Sequence, residues 1–157
     1  MHEIDILTKI ISKSYGELDA TERRAVDAAV KAIEGSYAPY SRFRVGAAIV
    51  LDNGEMVTGA NQENVAFPSG TCAERTACYY AGAHYPGTGF SLIAIAARGT
   101  DGELTSTPTA PCGACRQALL EYETLSGHDV PVLLVGRDQI YRLPSVKSLL
   151  PLCFSEF

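Results

Sequence analysis

The chain has 157 residues, 46% of them hydrophobic and 20% charged, which excludes a disordered polypeptide and suits one domain with a sizeable core. Its formal net charge is −5, and only Arg23 and Arg24 stand side by side among scattered Lys and Arg, where a nucleic-acid binder would normally show a basic face; this argues for a small, neutral substrate rather than a polynucleotide, although scattered charges can still converge in three dimensions. No apolar run approaches the roughly 20 residues of a membrane span, so no membrane partner is expected.

The opening Met1-His2-Glu3-Ile4-Asp5 carries acids and no basic lead, so no secretory leader is expected. Residues 3–14 set Ile4, Ile6, Thr8 and Ile10 against Glu3, Asp5, Leu7 and Lys9, a partial strand pattern. Residues 1–18 are therefore either an added extended arm or a fraying terminus. Asp19 and Glu22 are spaced as a helix cap and its reciprocating acid. Ala25, Ala28, Ala29, Ala32 and Ile33 then form one helical face, and Gly35 ends it. Arg44–Leu51 and 56–61 read as strands joined by the tight turn Asp52-Asn53-Gly54. A helix is predicted over 73–83, and a fully apolar central strand over 92–97. Residues 101–109 form a loop, followed by a helix over 113–125 and a buried strand over 130–135. A turn at Gly136-Arg137-Asp138 leads to a short strand over 139–143 and one helical turn within 144–150. Nothing divides the chain, so 1–157 reads as a single domain. The order α-β-β-α-β-α-β-β predicts a three-layer α/β/α fold around a five-stranded mixed sheet.

Two motifs carry chemistry. Thr71-Cys72-Ala73-Glu74-Arg75 stands at one predicted helix start, and Pro111-Cys112-Gly113-Ala114-Cys115-Arg116-Gln117 at another. Cys112 and Cys115 are three residues apart, so both sulfurs leave one face of a first turn. Helix N-termini favour thiolate, the form that binds metal. Three thiols and no motif histidine suit one Zn²⁺ per chain with its fourth position left for water, the pattern of a catalytic site. Glu74 is too close to Cys72 to ligate without strain but is placed to move a proton. Arg75 and Arg116 each follow a cysteine, where a guanidinium can donate to sulfur and offset the charge of three thiolates. A structural Cys₄ site, with Cys78 or Cys153 as fourth ligand, is the competing reading; a lone Cys-x-x-Cys would also suit redox use. Five cysteines with three in metal motifs fit a reducing cytoplasm. Cys78 otherwise reads as core filler, Cys153 as incidental, and His2, His84 and His128 as surface residues outside the motifs.

Cys-Ala-Glu-Arg joined to Pro-Cys-Gly-Ala-Cys-Arg-Gln resembles the cytidine deaminase family, specifically the small homotetrameric nucleoside type. The resemblance runs from about Ser36 to Phe154 and takes in Tyr37-Ala38-Pro39-Tyr40-Ser41, Val45-Gly46-Ala47-Ala48, Asn61-Gln62-Glu63-Asn64 and Leu149-Leu150-Pro151. It implies a cytidine deaminase-like fold, with zinc on Cys72, Cys112 and Cys115 and a proton shuttle at Glu74. It further implies ribose contacts from Asn61 and Glu63, a pyrimidine wall at Phe43, and a backbone contact to the base at Ala73. Phe154 resembles the C-terminal aromatic that reaches a neighbouring subunit's site, so a homotetramer with shared sites is implied. Taken locally, Asn61 and Glu63 read as a polar loop, Phe43 as a core aromatic, and Phe154 as packing on its own domain. Phe67 stands where many relatives have Tyr, and 81–90 looks longer than usual.

The expected reaction is zinc-dependent hydrolysis of cytidine and deoxycytidine to uridine and deoxyuridine with release of ammonia, a pyrimidine-salvage step. A deaminase of a cytosine-bearing antibiotic or modified nucleoside is the alternative enzyme. A structural zinc module that binds a partner is the alternative of another class, and it gives Glu74 nothing to do.

Overall fold

The computed structural model describes residues 1–156. Helix α1 spans Ala20–Ala32. Asp19 accepts from the Glu22 backbone N–H at 2.8 Å, and the Glu22 carboxylate returns to the Asp19 N–H at 3.2 Å, so the reciprocal cap forms as its spacing predicts. A short 3₁₀ turn, Ile33–Gly35, closes the helix. Strands β2 (Arg44–Leu51) and β3 (Met56–Ala60) form the hairpin. Helix α2 (Ala73–His84) leads to β4 (Phe90–Arg98), and α3 (Gly113–Ser126) to β5 (Val132–Val135) and β6 (Ile140–Leu143). One more 3₁₀ turn, Val146–Leu149, supplies the helical turn expected near the C-terminus.

The sheet has six strands, not the five expected. The extra strand is β1, Ile11–Lys13, which pairs antiparallel with β6 through Ile11↔Arg142, Ser12↔Tyr141 and Lys13↔Ile140. Backbone pairing and charge place it, because none of its side chains is buried. The Glu22 carboxylate, 4% exposed, accepts from Lys13 Nζ and from Arg142 Nε, each at 2.8 Å. It thereby ties β1 and β6 to α1. Residues 11–13 are thus an extended arm rather than a frayed end.

The strand order is β1-β6-β5-β4-β2-β3, with only β4 and β5 parallel, so the sheet is mixed as expected. Alternation along each strand feeds two cores. Ala47, Ile49, Ile93 and Ile95 pack beneath α2 and α3, while Ala48, Val50, Ala94 and Ala96 pack beneath α1. Two glycines let helices approach the sheet. A Cβ on Gly46 would lie 2.2 Å from the Ala29 carbonyl oxygen of α1. A Cβ on Gly59 would lie 2.6 Å from the Ala73 oxygen and 2.6 Å from the Ala77 nitrogen of α2. The register Gly46↔Ala60 and Arg44↔Arg98 puts the ends of β3 and β4 at the same edge of the sheet. The chain leaves those two strand ends to begin α2 and α3, which brings both cysteine motifs to that edge. Among the described residues, no helix is long and apolar enough to cross a membrane.

Candidate active site

Cys72 and Cys112 are the N-caps of α2 and α3, both in extended backbone and neither using its sulfur to cap its own helix. The sulfurs face each other instead. Those of Cys72, Cys112 and Cys115 lie within 4.8 Å of one another, and Cys72 to Cys112 is 3.8 Å. Tetrahedral bonds of about 2.3 Å would set two sulfurs about 3.8 Å apart, so the donor set suits zinc in kind and in spacing. Cys115 is buried, Cys72 is half-buried and Cys112 is exposed, so the cluster has a closed floor and an open side. Cys78 stays apart, buried on α2 with its thiol directed to the Arg75 carbonyl at 3.7 Å. Cys153 lies in the C-terminal tail near the Leu150 carbonyl.

Charge within the cluster is uneven. The Cys72 thiol is pulled down to about 5, first by the hydrogen bond it receives from Cys115 and then by Arg75 and Cys112. Cys115, as donor and buried, is held upward. Arg75 Nη2 donates to Cys72 Sγ at 3.7 Å, the sulfur contact expected of it, and that contact holds the guanidinium firmly protonated. Its Nε is buried with no hydrogen-bond partner among the described residues, so one donor is left unused. Arg116 differs. Its Nε donates to the Pro111 carbonyl at 2.9 Å and its Nη1 to the Leu149 carbonyl at 2.8 Å. It fastens the loop before Cys112 to the C-terminal turn, and its hydrogen bonds go to backbone oxygens rather than to sulfur.

Glu74 lies in the first turn of α2 and is 4% exposed. Desolvation pushes its carboxyl above the ordinary range, and the charge on Cys72 adds to the rise. Burial therefore strengthens its hold on a proton relative to a solvated carboxylate. Ala73, fully buried, opens the same helix beneath Gly59.

A cleft of about 360 Å³ borders Cys72 and Arg75. Asn61, Glu63, Tyr40, Ser41 and Phe67 line it. Asn61 Oδ1 accepts from Val45 N–H at 2.8 Å and Ser36 Oγ–H at 2.6 Å, and its Nδ2 donates to the Phe43 carbonyl at 2.9 Å. Of two donors and two acceptor positions, one N–H remains for a ligand. Glu63 accepts from the Tyr40 N–H at 2.8 Å and from the Ser41 N–H and hydroxyl. Those bonds, the Ser41 hydroxyl foremost, hold it below the usual carboxylate range, so it is ionised at the cleft.

The cleft's aromatic wall is Tyr40 and Phe67, in edge contact at 6.2 Å. Phe43 is half-buried and is not among the residues that line the cleft; its N–H donates to Ser41 Oγ at 3.0 Å and its carbonyl accepts from Asn61. Sequence reasoning placed Tyr40 and Ser41 within a motif and noted Phe67 as standing where many relatives have Tyr, but gave none of them a role in the site. Ser41 lies 22 residues from Glu63, and no periodicity links the two. Phe154 sits in the tail, its carbonyl accepting from Gln117 Nε2 at 2.9 Å and its side chain 67% exposed. Gln117 follows Cys115 by two residues, so the tail is tied to the second cysteine motif of its own chain.

Comparison with known proteins follows the same residues. The family described as "Cytidine and deoxycytidylate deaminase zinc-binding region" matches residues 19–126, a span that includes both motifs. The cytidine deaminase of Halalkalibacterium halodurans is 39% identical over 127 residues, covering 81% of this chain and 89% of that one. The Mycobacterium tuberculosis cytidine deaminase is 44% identical over 105 residues, covering 65% and 74%. The crystal structure of cytidine deaminase from Burkholderia pseudomallei superposes with a TM-score of 0.70 at 40% identity, over 83% of this chain and 97% of that one. Sequence and fold thus agree over 74–97% of these relatives' length, and this chain belongs to the cytidine deaminase family.

Proposed function

We propose that this protein hydrolyses free cytidine and deoxycytidine to uridine and deoxyuridine and releases ammonia. The observation that carries this reading is a buried Glu74 in the helix turn that begins at Cys72, whose sulfur clusters with those of Cys112 and Cys115 and borders the cleft. Cys72, Cys112 and Cys115 would hold one zinc, and zinc when bound supplies the Lewis acidity that makes water nucleophilic near neutral pH. Glu74 takes the proton lost by that water. It passes that proton to N3 of the ring as C4 is attacked, then takes the second proton from the hydroxyl now on C4 and gives it to the leaving amine, so both protons of the water are placed. Each transfer is helped by a carboxyl with raised affinity for a proton, and burial raises that of Glu74. Arg75 offsets the charge of the sulfurs from beside Cys72.

Glu63 and the remaining Asn61 N–H take the sugar hydroxyls. An ionised Glu63 repels a phosphate, so the nucleoside is preferred to the nucleotide. The backbone of Ala73 meets the base, with Phe43 behind the pyrimidine and Phe154 closing a neighbour's site in a homotetramer. The setting is pyrimidine salvage in the cytoplasm, with no nucleic-acid or membrane partner. Ammonia release from free cytosine, cytidine, deoxycytidine and CMP tests the reading. The two nucleosides are expected to turn over well, with cytosine poor and CMP poorer than cytidine. No ammonia from either nucleoside by the zinc-loaded protein would refute it.

A further inference from the structure

The Lys and Arg residues are scattered along the sequence, but three of them converge in the fold. Arg44 and Arg98 are direct partners across the antiparallel β2–β4 ladder. Both fall on the face that carries α1, by alternation with Ala48 and Ala96. Arg42 joins them around a hollow of about 290 Å³ beside the end of α1. Among the described residues, none of the three guanidinium groups has a hydrogen bond or an ion pair. The salt bridges found there join Lys13 and Arg142 to Glu22 and His128 to Asp52. Glu34 is the single carboxylate on the wall of the hollow, and it pairs with none of them.

This arrangement works against folding on its own. Like charges directly opposed on neighbouring strands destabilise a sheet. Arg42 also has φ 56, a left-handed backbone that costs a non-glycine residue energy. A chain of net charge −5 has acids in excess to neutralise three arginines, yet here the fold leaves them unneutralised. Three guanidinium groups beside one carboxylate that pairs with none of them match an anion that accepts several charge-assisted hydrogen bonds, above all the oxygens of a phosphate.

We propose that Arg42, Arg44 and Arg98 form a binding site for a multiply charged phosphate group, carried by an inorganic polyphosphate or by a nucleotide. The site is separate from the catalytic cleft. It lies on the α1 face of the sheet, whereas the cysteines cap the helices of the other face.

Calorimetric titration of the zinc-loaded, full-length protein at constant ionic strength tests this, with inorganic pyrophosphate in one arm and ADP in the other. Saturable binding of pyrophosphate at one per chain is expected. Arg44→Gln and Arg98→Gln should each weaken it about tenfold, the loss that follows from one charge-assisted bond. ADP binding more tightly than pyrophosphate would identify a nucleotide as the ligand, and equal affinities an inorganic anion. Arg44 is exposed, so its replacement leaves the fold intact and the readout interpretable. Absence of saturable binding in both arms, or binding that neither substitution weakens, would overturn the site. The measurement does not depend on deamination, so it stands or falls apart from the proposed activity.

Discussion

In the proposed reaction Glu74 must keep hold of a proton that a solvated carboxylate would give up sooner, and its burial, which raises its affinity for a proton, suits that role. Glu74→Gln keeps the shape and removes the carboxylate. Zinc content and fold should survive, and cytidine turnover should fall by about 10²- to 10⁴-fold, the usual worth of general acid–base catalysis. Steady-state assay beside metal analysis checks it; near-normal turnover would remove Glu74 from the proton path. Glu63 gives a second test. Its carboxylate is ionised and faces the cleft, so Glu63→Ala should harm cytidine far more than free cytosine. Equal losses in kcat/KM on both would show that Glu63 only braces the Tyr40–Ser41 turn. At this scale the sequence was legible wherever a role depends on a near neighbour. Cys72, Glu74 and Arg75 share a helix turn, and their spacing alone implied that they sit together. Arg116 follows Cys115 directly, yet its hydrogen bonds go to Pro111 and to Leu149, 33 residues away, a tie that no local pattern encodes.

Helices and strands were predicted well where burial or capping dictates them. The Asp19–Glu22 cap, the Asp52–Gly54 turn and the apolar β4 each carry a local signal. Strand β1 carries almost none, because it buries no side chain and is held by backbone pairing and by Glu22. That carboxylate makes a pH prediction. Desolvation raises its pKa, but the hydrogen bonds from Lys13, Arg142 and the Asp19 N–H together lower it overall. A folded pKa below the unfolded one contributes stability above the unfolded value and loses it as pH falls through the folded value. Glu22→Gln should therefore cost about 1–3 kcal/mol at pH 7. The gap from wild type should close as pH drops below about 4. Urea unfolding across that range checks it, and a gap that widens in acid would contradict it. Gly59 tests how α2 is seated. A Cβ there meets backbone at 2.6 Å, so Gly59→Ala should cost about 1–3 kcal/mol as overpacking and shift Cys72 on its helix start. A thermal melt and a zinc affinity measurement read the two effects; an unchanged Tm would show that the helix yields freely.

At the scale of the whole molecule, net charge and a short chain point away from polynucleotides, and the exposed Phe154 bears on assembly. If Phe154 closes a neighbour's site, Phe154→Ala should weaken nucleoside binding more than folding. The stacking loss is about 0.5–1.5 kcal/mol beyond buried area. Hybrids of Glu74→Gln and Phe154→Ala chains, reassembled after mild dissociation, should recover part of the apparent affinity. No recovery in verified hybrids would place Phe154 in its own chain's site. The central claim is that the three sulfurs hold a metal that works rather than one that braces. Three of the five cysteines cluster while Cys78 and Cys153 stand apart, and this division decides the outcome of zinc-edge X-ray absorption on the purified protein. The account predicts one zinc per chain bound by three sulfurs and one light atom; four sulfurs around the zinc would contradict it.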